Sequence, residues 1–236
     1  ARGHYTFFGH LKWTPVILVG YAASILVGRT LGRFNKLHPG IRITAMIDDW
    51  VNLPRRLMAR EFDFVLMETS QLQTDKDLDI RPLLPHQWFL FCSGMHPVLK
   101  AKSLSLKNLV HYPFVLPTMP QRLLTMFGAL LKTASDKVSS IEDLYIIQSN
   151  DVLLIRNTVA NSEALGVATY GMITEDLQNN RFAALPIRVP ELRTAYGIVT
   201  RKGLSLSPAA YVLQDILLEL NASQSVQDAR FVEALC

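Results

Sequence analysis

The sequence predicts an α/β fold of parallel sheets with helices on both faces, and three observations carry that expectation. β-branched and aliphatic runs of strand length alternate with runs of helical period. Phe62–Met67, "FDFVLM", is nearly all apolar, as strands buried on both faces are. The alternation stops after residue 67 and restarts near Ser105, so the chain holds two α/β units of similar layout without a residue-level repeat.

Taken in order, Val16–Val19 reads as a strand and Ala23–Leu37 as a helix. His38-Pro39-Gly40 closes that helix, because proline cannot continue it and glycine turns freely. Ile41–Ile47 is the next strand. Asp49 or Asn52 can cap the following helix, with Pro54 tolerated in its first turn. That helix ends near Arg60, and Phe62–Met67 is the third strand. "ETSQLQTDKDLD" reads as a polar loop, "IRPLL" and "QWFLFC" as strands, and "SGMHPVLKAKS" as a loop by composition.

In the second unit Ser105–Leu109 is a short helical turn and Phe114–Leu116 a strand. Gln121–Lys132 is a helix with Leu123, Leu124, Phe127, Leu130 and Leu131 at helical spacing. Leu144–Ile147 is a strand, Asn150 or Asp151 caps a helix through Val159, Leu165–Ala168 is a strand, and a short helix lies near Ile173–Leu177. Ala183–Val189 is extended, and "TAYGIVTRKG" is a closing strand. Ser207-Pro208 then starts a helix to about Leu220, since a cap followed by proline is a strong start signal. Beyond Asn221 the chain is polar enough to fray.

Composition narrows the function. With 49% hydrophobic and 19% charged residues in 236, the chain is globular and long enough for one large domain or two small ones. The net charge of +4 comes from 24 scattered Lys and Arg rather than a nucleic-acid arm, which argues against direct DNA binding by this stretch. Cys92 and Cys236 are placed too unlike one another for a structural disulfide, which fits a reducing cytoplasm. The uncharged run Pro15–Gly28 has the look of a signal peptide or anchor, but it is shorter than the roughly 20 residues a bilayer needs. Strand, turn and helix account for both of its halves. The six histidines lack metal spacing, and no P-loop, Gly-x-Ser-x-Gly elbow or Gly-x-Gly-x-x-Gly is present, so neither metal nor cofactor is expected.

In open parallel sheets, ligands sit outside the carboxyl ends of the strands, where helix N-termini expose unpaired amides. The turns at those ends supply Tyr21, Ala22 and Ser24, Asp49 and Trp50, Thr118 and Met119, Gln148 and Asn150, and Thr169. If the two units face each other, these turns line one crevice. Tyr21, directly after the turn glycine, is the favoured contact. Asp48 and Asp49 suit solvated caps better than ligand contacts, and Asn150 suits a cap. Trp50 serves equally as a hydrophobic staple or a pocket wall, and Ser24 can bond its own helix start. Helix N-termini favour a carboxylate, and Tyr21 and Trp50 an apolar or aromatic body.

With these elements placed, the chain resembles the effector-binding domain of LysR-type transcriptional regulators. The resemblance rests on "RFNKLHPGIRI", "LMAREFDFVLM" with Asp63 opening the strand, "LLPHQWFLFCSGMHPV", "LSLKNLVHYPFVLP" and the closing "LSPAAYVLQDIL" helix. Their order and spacing cover about Leu11 to Leu220. Arg60 stands where the family usually has glycine, and "VANSEALGVATYG" carries Ser162, Ala164 and Thr169 in place of the family's Gly-x-Gly run and its following proline.

The resemblance implies two Rossmann-like subdomains joined by two crossover segments, similar to type II periplasmic binding proteins. The first would hold residues 11–88 plus 195–221 and the second 89–194, with 1–10 a linker remnant and 222–236 a tail. It further implies a small-molecule effector between the subdomains, a dimer or tetramer pairing Ala23–Leu37 with Gln121–Lys132 of another copy, and DNA binding by an N-terminal helix-turn-helix outside this chain. A non-enzymatic sensor is the expectation; an exported solute-binding protein is the alternative, and an enzyme on a similar fold ranks third.

Overall fold

A computed structural model of the chain describes residues 12–18, 23–47, 52–70, 72, 76–133, 145–187 and 189–235. The chain divides into two compact units, Ala1–Pro85 with Ala195–Ser225 and His86–Thr194 with Val226–Cys236. Each is built on its own five-stranded sheet.

In the first unit, strand β1 (Lys12–Leu18) leads to helix α1 (Ala23–Leu37), then β2 (Ile41–Ile47), α2 (Leu53–Met58) and β3 (Phe64–Glu68). β1 runs parallel to β2 in unbroken register from Lys12–Ile41 to Leu18–Ile47, and parallel to β3. The strand–turn–helix reading of the apolar run therefore holds for its strand and helix; the turn itself, 19–22, lies outside the described residues. β4 (Leu78–Pro82) is an edge strand, and β10 (Tyr196–Arg201) runs antiparallel between β3 and β4. The resulting order is β2-β1-β3-β10-β4.

β3 shows why the sequence there is apolar throughout. Phe64 and Leu66 face a core with Leu26, Val27 and Phe34 of α1 and Leu213, Ile216 and Leu217 from the C-terminal helix. Val65 and Met67 face the opposite core, with Leu53 and Leu57 of α2. Side chains alternate across a strand, so a strand covered on both faces needs apolar residues at every step.

The short helix α2 ends in a motif with a cost. The Arg60 amide donates to the Leu57 carbonyl at 3.0 Å and the Glu61 amide to the Arg56 carbonyl at 3.3 Å, the two bonds of a Schellman cap. Its left-handed position falls on Arg60, at φ 62°, which explains the glycine preference that Arg60 departs from.

The second unit repeats the plan. β5 (Trp88–Ser93) is followed by a 3-10 turn (Pro97–Lys100), α3 (Leu106–Leu109), β6 (Phe114–Leu116), α4 (Gln121–Lys132), β7 (Tyr145–Gln148), α5 (Val152–Ala160), β8 (Leu165–Thr169), α6 (Tyr170–Gln178) and β9 (Phe182–Ala184). β6 is parallel to both β7 and β8, while β5 is antiparallel to β8 and β9, giving β7-β6-β8-β5-β9. Each sheet thus has three parallel strands in order 2-1-3, then an antiparallel strand, then an edge. α6 ends on a second Schellman cap: Asn180 amide to Leu177 carbonyl, Arg181 amide to Asp176 carbonyl, with Asn180 at φ 54°. Asparagine tolerates that region better than arginine does.

Two expectations are corrected. The loop after β5 contains the 3-10 turn because the His96 imidazole Nδ1 accepts the Val98 amide at 3.0 Å and so caps it. The closing helix, α7, does not fray after Asn221 but runs Pro208–Leu235. Its later turns bury Asn221, Gln224, Asp228 and Val232, a stripe at helical spacing made mostly of polar residues. Among the described residues no helix is long and apolar enough to cross a membrane.

Candidate functional site

Because β6, β7 and β8 are parallel, their carboxyl ends share one edge of the second sheet. Thr118 and Met119 follow β6, Gln148 ends β7 with Asn150 two residues on, and Thr169 ends β8. The structure therefore brings these five onto a common rim.

The rim is tied together by one reciprocal bridge. The Thr118 amide donates to Asn150 Oδ1 at 2.9 Å, and Asn150 Nδ2 donates to Thr118 Oγ1 at 3.2 Å. Asn150 is thus not the α5 cap; that cap is Asp151, whose carboxylate accepts the Leu154 amide at 2.9 Å. Asn150 fixes the β6–α4 turn instead. Thr118 Oγ1 accepts from Asn150, which leaves its hydroxyl hydrogen to donate elsewhere. Met119 is buried, Gln148 is exposed, and Thr169 is buried at the start of α6, where its side chain makes no capping bond.

In the first unit the expected contacts are described only in part. Tyr21, Ala22, Asp49 and Trp50 lie outside the described residues, and Ser24 is in the first turn of α1, its side chain likewise outside the description. Asn52 is the α2 N-cap and its side chain makes no capping bond.

The carboxyl end of β3 supplies residues that sequence reasoning missed. Glu68 and Thr69 are buried there, Glu68 Oε1 accepting the Ser70 amide at 3.2 Å and Oε2 the Ala195 amide at 3.2 Å. The Thr69 amide and hydroxyl both donate to the Ala195 carbonyl at 2.8 Å. Ser70 Oγ is buried without a hydrogen-bond partner among the described residues. Strand order was the usable signal: a third parallel strand must end on the same edge as the first two.

Some titratable groups of the second unit are tied into its fold. His96 uses both ring nitrogens, Nδ1 on the Val98 amide and Nε2 on the Glu163 carbonyl at 2.9 Å. Asp176 pairs with Arg156 at 2.7 Å and Arg181 at 3.3 Å. Burial pushes the free Cys92 thiol up to about 12 from its ordinary 9.0. No cluster of three or more His, Cys, Asp or Glu suited to a metal forms among the described residues.

A sheet edge carrying helix N-termini and hydroxyl donors has the features of a ligand-binding site. The LysR substrate binding domain model matches residues 16–222, and the chain belongs to that family of transcriptional regulators. It is 29% identical over 214 residues to the SDS degradation transcriptional activation protein of Pseudomonas sp., covering 89% of this chain and 67% of that protein. A match to the transcriptional regulator GalR of Pseudomonas putida, 26% identical over 82% of this chain, spans 47% of its relative, so the chain covers from 47% to 67% of the length of these two relatives. Among solved structures, the effector binding domain of QuiR in complex with shikimate aligns with TM-score 0.65 at 14% identity over 89% of this chain and 97% of that one, a likeness of fold. A stretch of 27 residues, 11% of the chain, is 78% identical to the Na(+)/H(+) antiporter NhaD of Alkalimonas amylolytica; at 6% of the antiporter it bears on that stretch alone.

Proposed function

We propose that this chain senses a small anionic effector through the carboxyl-edge turns of its sheets and passes the signal to DNA binding by a part of the regulator outside this sequence. The observation that supports it most is the rim of Thr118, Asn150 and Thr169 on one sheet edge, held in place by the Thr118–Asn150 bridge. By residue type Tyr21 and Trp50 are assigned to an apolar or aromatic part of the effector, and the Ser70 hydroxyl at the carboxyl end of β3, buried and without a partner among the described residues, is a further donor. An effector with higher affinity for one state of the domain shifts the population towards it by that difference. The domain works as a dimer or tetramer in the cytoplasm, binds without turnover and requires no cofactor.

The ligand class is a carboxylate or sulfate on an apolar body. QuiR is described in complex with shikimate, a carboxylate on a ring, and the Pseudomonas relative is named for activating degradation of SDS, a sulfate on an alkyl chain. Thermal-shift titration of the chain with shikimate, benzoate and submicellar dodecyl sulfate tests this. At least one compound should raise the melting temperature and be recovered intact. Thr118→Val should then weaken that compound about three- to tenfold, the loss of one hydrogen bond, and Tyr21→Ala and Trp50→Ala should weaken it without unfolding the protein. Consumption of the compound would favour an enzyme, and affinities unmoved by all three substitutions would put the site elsewhere.

A further inference from the structure

We propose that the C-terminal arm of α7, Val226–Leu235, sets the pose of the β8–α6 turn, with Asp228 and Phe231 as positioning residues for the effector rim. The consequence for the effector rests on the reading of Thr169 given above; the effect on the turn does not.

Asp228 is fully buried, and its carboxylate holds two groups of the second unit. Oδ2 lies 2.7 Å from His86 Nδ1, and Oδ1 accepts the Gly171 amide at 3.3 Å. Gly171 is the second residue of α6, where backbone amides have no partner within the helix. One turn further along, the Phe231 ring stacks on Tyr170 with centroids 4.4 Å apart at 21°, and leans on Phe89 at 5.0 Å. Phe89 is itself paired with Ala168 of β8. The arm therefore grips the end of β8, its neighbour β5 and the first residues of α6 together.

The turn needs that grip. Ile173 has non-helical angles, φ −134° and ψ 21°, so a kink separates the first residues of α6 from the rest of the helix. Across the kink the Thr174 hydroxyl donates to the Tyr170 carbonyl at 2.7 Å, and the arm adds the Asp228 bond to the Gly171 amide and the Phe231 ring on Tyr170. A fully buried carboxylate is a costly way to add stability, because an apolar side chain packs without desolvating a charge. What it supplies is direction: one defined position for the Gly171 amide, two residues after Thr169.

Amide hydrogen exchange on the whole chain tests the proposal without an effector. Asp228→Asn and, separately, Phe231→Ala should speed exchange about tenfold in peptides spanning Thr169–Ile173, while peptides over β6 and α4 keep wild-type rates. Phe231→Tyr, which keeps the ring, should restore slow exchange. Wild-type rates in the turn for both variants would overturn the proposal, as would acceleration spread evenly through the second unit, since that marks general loosening. If no compound binds the wild-type chain, the effector reading fails while the exchange result still decides the role of the arm.

Discussion

Replacing Arg60 with glycine should make the protein more stable, although it deletes a long side chain and adds a flexible residue. Arg60 occupies the left-handed position of the α2 cap at φ 62°, where an L side chain crowds its own carbonyl at a cost of roughly 1–2 kcal/mol. Glycine removes that cost and returns about 0.5–1 kcal/mol through the greater freedom of the unfolded chain. The Arg60 side chain is exposed, so little packing is lost. The net expectation is a gain of about 0.5–1 kcal/mol, localised where Leu53 and Leu57 anchor α2 in its core. For a chain of this size that is a rise of about 1–4 °C in melting temperature, or a later urea midpoint at unchanged slope. Arg60→Ala is the control, because alanine keeps the side-chain clash and should gain nothing. A midpoint for Arg60→Gly at or below wild type, or an equal rise for Arg60→Ala, would refute the reasoning.

Two further expectations follow from the second unit. Gly94 lies so close to Asn180 that a Cβ would run into its backbone carbonyl, and Gly94→Ala should destabilise by about 1–3 kcal/mol, read by calorimetry; an unchanged transition would mean that the approach is looser than described. Cys92 should resist thiol reagents in the folded protein and react once urea unfolds it. Its folded pKa is raised, so the contribution is complete below the unfolded value of 9.0 and is lost as the pH climbs towards about 12. Cys92→Ala should remove that part of the alkaline loss, and a variant with the same pH profile as wild type would count against it.

Much of the fold was legible because apolar spacing decides it. β6 and α4 fall on the expected residues, since Leu123 and Phe127 bury the face their spacing announced. The end of α7 was not legible, because its buried stripe is Asn221, Gln224 and Asp228, and apolar periodicity says nothing about polar residues satisfied by distant partners such as Leu84 and His86. The turn at Pro97 was hidden for a related reason: its cap is an imidazole, outside the usual capping residues. On the rim, helix-start logic offered Asn150 as a cap, whereas its side chain bonds Thr118, a partner 32 residues away. Glu68, Thr69 and Ser70 went unnoticed inside a stretch that reads as polar loop.

The return of the chain to the first sheet through β10, after the second sheet, bears on how the protein is made. On the ribosome the first unit emerges early yet lacks β10, which fills the place between β3 and β4, and lacks Leu213, Ile216 and Leu217, which close its core. All five strands of the second sheet lie within Trp88–Ala184 and have been synthesised before that missing strand begins. The half of this chain translated first is therefore the half whose sheet closes last, and β3 gains its neighbour β10 only after every strand of the second sheet has been made.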